Sequence, residues 1–143
     1  MTRLLSRFEL QLCDIQGRLF ELALKHRLDS ADFIEKFMNS ETCRYFDLPY
    51  DRHQWHGEEY ILECVMDESE IRSTGALFGT EAMYWIGYVY RYWHLLTGEG
   101  SREIYRQAGA KQMRECYPGF HTVDVVLAIE WLKEIHEQRT QAG

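Results

Sequence analysis

The sequence is poor in proline and in positive charge, and both shortages narrow what the protein can be. Only two prolines occur among 143 residues, of which 45% are hydrophobic, so the composition is that of a folded chain and not of a disordered one. The 16 Lys and Arg residues are outnumbered by 23 Asp and Glu residues, which gives a net charge of -7. Because phosphates repel negative charge, this balance argues against a general nucleic-acid binder and against a binder of anionic membranes.

The sequence also lacks closely spaced cysteines and long apolar runs. Its cysteines, Cys13, Cys43, Cys64 and Cys116, form no CxxC pair, which argues against a zinc ribbon. No run of about 18 apolar residues occurs, so we expect no membrane-spanning helix. The opening MTRLLSRFELQL interrupts its apolar residues with Arg, Ser and Glu and is not typical of a signal peptide. These absences predict a cytoplasmic protein with reduced thiols.

Helical periodicity is present along most of the chain. Apolar residues recur three and four positions apart between capping and turn residues, and no convincing strand-like alternation occurs. We therefore predict an all-α fold. Ser40 and Thr122 are predicted helix N-caps, Gly98 is a predicted left-handed helix end, and Pro118 is a predicted stop signal. Residues 1–143 are expected to form a single compact domain of about six or seven helices around a central aromatic-rich helix.

The first predicted helix covers about residues 3–27 and is amphipathic. Its apolar stripe has heptad-like spacing and consists of Leu5, Phe8, Leu12, Ile15, Leu19, Leu22 and His26. A stripe of this kind packs either onto its own domain or against another helix, and the second alternative predicts a homodimer through the first helix. Gly17 is expected on the opposite, polar face of this helix.

The aromatic-rich helix contains the segment MYWIGYVYRYWHLLTGEG, residues 83–100. At 100° per residue, one broad face is predicted to lie in the core. That face consists of Ala82, Trp85, Ile86, Val89, Tyr92, Trp93 and Leu96. The other side is only partly polar and carries Arg91.

Arg91 has two possible roles, because a guanidinium is seldom buried without a carboxylate or an aromatic ring beside it. The first role is a structural salt bridge, for which Glu58 and Glu59 are candidate partners. The second role is functional: a groove lined by Arg91, His94 and Tyr84, with Gly87 as its floor, that holds an acidic group.

The segment RHQWHGEEY is the densest polar constellation of the chain. His53 and His56 lie three residues apart, and Glu59 follows, so these side chains are weak candidates for a metal site. Helix capping and surface hydrogen bonding are the alternative roles. Trp55 is expected to be a buried anchor of the segment.

The C-terminal run SREIYRQAGAKQMRECYPGFHTVDVVLAIEWLKE resembles the last part of a family of short, uncharacterised bacterial helical proteins. The resemblance depends on Tyr117, Phe120, the pair His121 and Thr122, and the terminal acidic helix. Genes of that family often lie beside toxin-like genes, including ADP-ribosyltransferase-like ones. The resemblance implies a small accessory or antitoxin-like protein and supplies no catalytic residues.

These observations favour a non-enzymatic protein-interaction module that binds a partner protein and needs no cofactor. Large aromatic side chains and arginine contribute most of the binding energy at many interfaces, and negative charge suits a basic partner. The candidate partner-binding residues are Tyr84, Tyr88, Arg91, His94, Trp55 and His121. The alternative is a small metal- or ligand-binding enzyme with a pocket between the aromatic helix and RHQWHGEEY.

Overall fold

The computed structural model describes residues 4–73 and 75–142, and within these ranges all regular structure is helical. The all-α prediction is confirmed, but the predicted number of six or seven helices is too low, because the described chain forms eight α-helices and one short 3₁₀-helix. The elements are α1 (Arg7–Lys25), α2 (Ser30–Met38), α3 (Glu41–Phe46), the 3₁₀-helix (Arg52–Gln54), α4 (Gly57–Glu68), α5 (Thr80–Thr97), α6 (Ser101–Gln107), α7 (Ala110–Phe120) and α8 (Val125–Ala142).

One hydrophobic core receives buried side chains from all eight α-helices. Phe20, Phe33 and Phe37 form a group of edge-to-face and stacked rings within it, with centroids 5.3 to 5.9 Å apart. Among the described residues, no helix has both the length and the apolar character that crossing a bilayer requires.

Helix α1 has well-defined signals at both ends. Ser6 caps it by accepting a hydrogen bond from the Glu9 backbone N–H at 3.1 Å, while the Glu9 carboxylate accepts from the Ser6 N–H at 2.9 Å. At the other end Arg27 adopts a left-handed conformation, with φ of 60°. The Leu28 N–H then donates to the Ala23 carbonyl oxygen at 3.1 Å, which completes a helix-ending motif in which glycine usually takes the place of Arg27.

Two glycines allow α1 and α5 to approach closely. A Cβ atom on Gly87 would lie 2.5 Å from the Gln16 carbonyl oxygen, and one on Gly17 would lie 2.6 Å from the Tyr84 ring. The Gln16 side chain donates to the Gly87 carbonyl oxygen at 2.9 Å and joins the two helices. The prediction that Gly17 lies on a polar face is therefore wrong, since α5 covers it.

The heptad-like stripe of α1 is used within the chain. Leu12 and Leu19 are buried, and α1 packs mainly on α5 and also on α4. A homodimer through this helix would have to form without these two side chains, and it remains a prediction.

Burial on α5 extends further around the helix than the helical wheel predicts. The core face is confirmed at Ala82, Ile86, Val89 and Trp93, whereas Trp85, Tyr92 and Leu96 are only half-buried. The side predicted to be partly polar contributes four further buried residues, because α1 packs against it. These residues are Met83, Gly87, Tyr90 and Arg91.

Two helix ends differ from their predictions. Pro118 was expected to stop α7 but lies inside it, and the helix continues to Phe120. A proline this close to the end of a helix removes only one late hydrogen bond. Thr122 was expected to cap α8, but the carboxylate of Asp124 accepts the Val126 N–H at 2.9 Å instead.

The start of α2 holds the long connection between α4 and α5. Side chains near the α2 N-terminus accept hydrogen bonds from backbone N–H groups of residues 69–79. These bonds run from Arg72 to Asp32 (2.8 Å), from Ala76 to Asp29 (3.2 Å) and from Phe78 to Ser30 (3.0 Å). Arg72, Ala76 and Phe78 are therefore fixed by polar contacts although they belong to no helix.

Candidate functional site

The structure separates the six predicted partner-binding residues into three environments. One is buried in the core, two lie in or next to a groove at the C-terminal end of α5, and three belong to aromatic clusters on α5 and α7. In that order they are Arg91; His94 and Trp55; and Tyr84, Tyr88 and His121.

Arg91 is a core residue, and the prediction that it lines an open groove with Gly87 as floor is wrong. Its side chain is 1% exposed. Nη1 lies 2.6 Å from Asp47 Oδ1, Nε donates to Gln16 Oε1 at 2.8 Å, and the guanidinium carbon lies 4.2 Å from the centre of the Phe46 ring. The structural role is the correct one, with Asp47 as the partner in place of Glu58 or Glu59.

Asp47 connects three parts of the chain. Besides the ion pair with Arg91, its carboxylate accepts hydrogen bonds from the Ser101 N–H at 2.9 Å and the Ser101 hydroxyl at 2.7 Å. Burial raises the pKa of Asp47, but the charges of Arg91 and His94 and the bonds from Ser101 outweigh it and hold the pKa below its usual value. Asp47 is therefore a charged residue that fixes the end of α3 against α5 and α6.

His94 lies between this cluster and the surface. Its Nδ1 is 2.6 Å from the Glu99 carbonyl oxygen, and its Nε2 is 3.0 Å from the Asp47 carbonyl oxygen. Both partners are acceptors, so the ring makes both bonds when both nitrogens carry hydrogen. The two ring nitrogens thus join the segment after α5 to the segment after α3, and the side chain also lines the groove.

The groove has a volume of about 530 Å³ and lies between the start of α1, the segment from Phe46 to Gln54 and the end of α5. Its size falls within the range of ligand pockets. Apolar and polar side chains line it together. The lining residues are Ser6, Phe8, Glu9, Leu12, Phe46, Asp47, Pro49, Tyr50, Gln54, His94, Leu95 and Gly98.

Two exposed aromatic side chains lie in or next to this groove, and we call them the rim. Tyr50 lines the groove and is 85% exposed, whereas Trp55 does not line it but stacks on the lining residue Phe8 and is 64% exposed. Tyr50 has φ of 63°, a left-handed conformation that a bulky side chain rarely adopts. Trp55 stacks on Phe8 with ring centroids 5.2 Å apart. The expectation that Trp55 is a buried anchor is wrong, because most of its surface faces solvent and this stack covers only part of the ring.

Gln54 lies on the wall of the groove and is 6% exposed. Its Nε2 donates to the carbonyl oxygens of Leu48 at 2.7 Å and Phe46 at 3.3 Å. Because both partners only accept, the amide orientation is determined, and Oε1 must point away from them. Oε1 is buried and has no hydrogen-bond partner. Such an unpaired acceptor is costly, by about 1–3 kcal/mol.

The remaining predicted residues lie in aromatic contacts along α5 and α7. Tyr84, Tyr88 and Tyr92 follow one another at centroid distances of 5.9 and 6.3 Å. Tyr84 donates to Asp14 at 2.5 Å, and burial together with this bond raises the pKa of Tyr84 well above its usual value. All three rings are half-buried. This row is therefore less accessible than the rim.

His121 is the exposed end of a second cluster. It stacks on Tyr117 at 4.3 Å, and Tyr117 meets Trp85 edge-on at 5.7 Å. The Tyr117 hydroxyl lies 3.4 Å from a Glu81 carboxylate oxygen. His121 is available to a partner, but the structure does not bring it to the groove.

The candidate metal ligands do not converge. His53 is buried and bonds to Asp51, whereas His56 is exposed and packs on the Tyr60 ring with centroids 5.0 Å apart. Glu59 points to solvent on α4. No group of three or more His, Cys, Asp or Glu side chains suited to a metal ion occurs in the described part of the chain.

Sequence reasoning missed four residues of this site: Phe8, Asp47, Tyr50 and Gln54. Phe8 was assigned to the helical stripe, although it is near the end of that stripe and only half-buried. A usable signal existed for Tyr50, because it follows Pro49 in an irregular segment that offers no helical face on which to bury an aromatic ring. Asp47 acts through residues that are distant in sequence, and Gln54 acts through backbone carbonyl groups of the preceding loop, so local sequence patterns do not reveal either role.

Comparison with protein-family models, with curated proteins and with solved structures found no match to this chain.

Proposed function

We propose that the protein is a non-enzymatic protein-interaction module whose groove and rim bind a partner protein. The observation that carries the proposal is the exposure of Tyr50 and Trp55 in or next to a groove whose lining is partly apolar. Tyrosine and tryptophan are the residue types that most often dominate binding energy, particularly where they border a pocket.

The rim is held in place before any partner arrives. Trp55 rests on Phe8, and the loop that carries Tyr50 is fixed by Asp47 on one side and Gln54 on the other. Pre-organised side chains lose less conformational entropy on binding, so their contacts contribute more to affinity. Tyr50 also has a strained left-handed backbone conformation, and this strain serves no evident role in holding the fold together.

The kind of partner is proposed on two grounds. The net charge of -7 suits a basic protein. The resemblance of the C-terminal run to bacterial proteins encoded beside toxin-like genes suggests an accessory or antitoxin-like role in the cytoplasm. In this proposal α5 is the central aromatic helix, and it supports the groove from below.

The proposal is tested by capturing the partner from the native host and comparing variants for the same captured protein. Tyr50→Ala combined with Trp55→Ala should remove it, and the melting temperature should change by no more than a few degrees because both side chains are exposed. Leu127→Ala is the matched control, since Leu127 is also an exposed apolar residue but lies on α8, outside the groove. Capture that survives the double substitution would show that the groove is not the binding surface.

A ligand-binding enzyme is the second candidate, and one observation favours it. The groove is lined by Gln54 from the segment 52–60 and by His94 from α5, and its volume suits a small molecule. Native mass spectrometry of the purified protein, together with metal analysis, tests this candidate. A stoichiometric small molecule or metal that is lost on Gln54→Met would favour the enzyme over the interaction module.

A further inference from the structure

The His94 ring holds the backbone of the segment after α3 in a way that depends on its proton. Its two nitrogens face two carbonyl oxygens, that of Glu99 at 2.6 Å and that of Asp47 at 3.0 Å. Resting on the function proposed above, we infer that protonation of His94 regulates the groove. The protonated ring keeps Tyr50 in its binding position, and loss of the proton releases it.

The number of protons follows from the two partners. An imidazole ring carries one N–H when neutral and two when charged, and a carbonyl oxygen only accepts. The charged ring donates to both carbonyl oxygens, whereas the neutral ring turns a nitrogen lone pair toward one of them. The contact with Glu99 is the shorter, so we expect the neutral ring to keep its hydrogen there and to lose the bond to Asp47.

The bond that is lost holds the backbone that leads to Tyr50. Three successive carbonyl groups in this stretch accept hydrogen bonds from side chains. The first and the third accept from Gln54 at 3.3 and 2.7 Å, and the middle one accepts from His94. These carbonyl groups belong to Phe46, Asp47 and Leu48. Two side chains from different elements therefore hold one short stretch, and only one of the two titrates.

Tyr50 supplies a reason for this stretch to move. It lies three residues beyond Asp47, and its φ of 63° is strained. When the Asp47 carbonyl loses its donor and meets a lone pair, its peptide group turns and the strain is relieved. The Asp47 carboxylate keeps its bonds to Arg91 and Ser101, so α3 stays in place while Tyr50 leaves the groove.

Charged groups on the protein side of His94 act in both directions. The Asp47 carboxylate attracts the charged ring, and the Arg91 guanidinium, one turn earlier on α5, opposes it. Glu99 follows α5 and lends its carbonyl oxygen to the ring, but its carboxylate is paired with Lys133 of α8. The carboxylates and the cations on this side therefore offset one another, and the two carbonyl oxygens decide in favour of the charged ring.

The groove side of His94 connects the ring to solvent. Glu9 of α1 and the Tyr50 hydroxyl are the other titratable groups there, and the Glu9 carboxylate accepts from the Ser6 N–H. Histidine is the side chain that ordinarily changes charge between about pH 5 and 8. The form with both bonds carries the additional proton, so lowering the pH favours the held segment and raising the pH favours its release.

NMR of the full chain between about pH 5 and 8 tests this device without a partner. The ring nitrogen signals of His94 report its protonation, and the backbone amide signals of Leu48 and Tyr50 report the segment. We expect both amide signals to change with the same midpoint as the ring, and the amide of Ile34 in α2 to stay unchanged. Amide signals of Leu48 and Tyr50 that stay constant while His94 titrates would overturn the inference.

His94→Gln provides the variant, because glutamine carries N–H donors but does not titrate. In this variant the amide signals of Leu48 and Tyr50 should no longer change with pH. His56→Gln is the matched control, since His56 is an exposed histidine beside Trp55 that packs on a ring of α4, and it should keep the change. A change that survives His94→Gln would assign the effect to another group and contradict the inference. The titration of the unsubstituted chain decides the question even if the variant does not fold.

Partner capture at different pH connects the device to the proposed function. Capture should fall about fivefold between about pH 5 and 8, as expected for the loss of one hydrogen bond, and should not depend on pH with His94→Gln. Capture by the unsubstituted chain that does not change with pH would overturn the inference. If capture depends on Tyr50 and Trp55 but their segment does not follow His94, the proposed function stands and this inference is wrong. If the segment follows His94 but capture is insensitive to the rim, the device stands and the proposed function is wrong.

Discussion

The Arg91 cluster consists of Arg91 and the residues that contact its guanidinium group. It and the rim both involve the segment after α3, but they differ in how many contacts their side chains make within the fold. In the cluster, three guanidinium nitrogens contact Asp47, Gln16 and the Cys43 sulfur, and the side chain is covered. On the rim, Tyr50 and Trp55 expose most of their surface, and the neighbouring Gln54 keeps an unpaired oxygen.

This difference shows that a conspicuous charged residue in the sequence is weaker evidence for a binding site than an exposed aromatic side chain in the structure. The charged cluster, which sequence alone marks as conspicuous, acts within the fold, because each charge has a partner from a distant part of the chain. The uncharged aromatic rim makes few contacts of its own and is the better candidate for meeting another molecule. Substitutions in the cluster should therefore mainly change stability, whereas substitutions on the rim should mainly change partner binding.

The largest effect is expected at the centre of the cluster. Arg91→Met should lower the free energy of unfolding by about 3–5 kcal/mol, because it leaves the buried Asp47 carboxylate without its cation. Chemical denaturation measures the loss. Arg44→Met is the control, since Arg44 pairs with Glu41 on the surface, where solvent screens the pair, and it should leave stability nearly unchanged. Similar losses in both variants would break the comparison.

A smaller effect is expected where α1 meets α5. Gly87→Ala should destabilise by about 1–3 kcal/mol, because the new methyl group meets the Gln16 backbone, which cannot move without separating the helices. At Gly17→Ala the nearest atoms belong to the Tyr84 side chain, which can shift more easily than backbone, so this should be the milder substitution. Thermal unfolding of the two variants ranks them, and the opposite ranking would contradict the geometry.

Acid should weaken the contacts of the Glu99 carboxylate, which lies next to the Arg91 cluster. Burial raises the pKa of Glu99, but hydrogen bonds from Lys133, Gln107 and Trp93 outweigh it and lower the pKa to about 2. A lowered pKa in the folded state means that the stabilisation is present above the ordinary value of 4.5 and is lost as the pH falls toward 2. Glu99→Gln should reduce the acid sensitivity of unfolding by about 1 kcal/mol after screening. An unchanged pH profile would show that the Lys133 pair is not formed in solution.

The smallest effect is expected on the rim, and its sign is opposite. Tyr50→Gly should raise stability by about 0.5 kcal/mol, because glycine adopts a left-handed conformation without strain, although it also gains freedom when unfolded. Arg27→Gly relieves the same conformation far from the groove and should give a similar gain. Only the Tyr50 variant should lose the partner. Melting experiments measure the stability of both variants and capture experiments measure their binding, and loss of the partner in the Arg27 variant as well would contradict the comparison.

Much of the fold was predictable because its signals are local. Ser40 was expected to cap α3, and its hydroxyl accepts the Cys43 N–H at 2.9 Å. The left-handed end of α5 at Gly98, with φ of 80°, was also expected. The helix count was too low although short helices were recognised, and Pro118 was weighted too heavily as a stop signal.

The site was less predictable because its geometry depends on residues far apart in sequence. A helical wheel describes what lies around Arg91 on α5, but its burial depends on Asp47, which is 44 positions away. The same limit applies to Gly17, whose surroundings are set by Tyr84 of α5. The groove forms only when α1, the loop after α3 and the end of α5 come together, so no single segment contains its pattern.

The bonds between the start of α2 and residues 69–79 have a consequence for how the molecule opens. Amide hydrogens in this connection, at Arg72 and Phe78, should exchange with solvent as slowly as those of the first turn of α2, although neither belongs to a helix. The backbone at Arg72 and Phe78 and the start of α2 would then come apart as one cooperative unit.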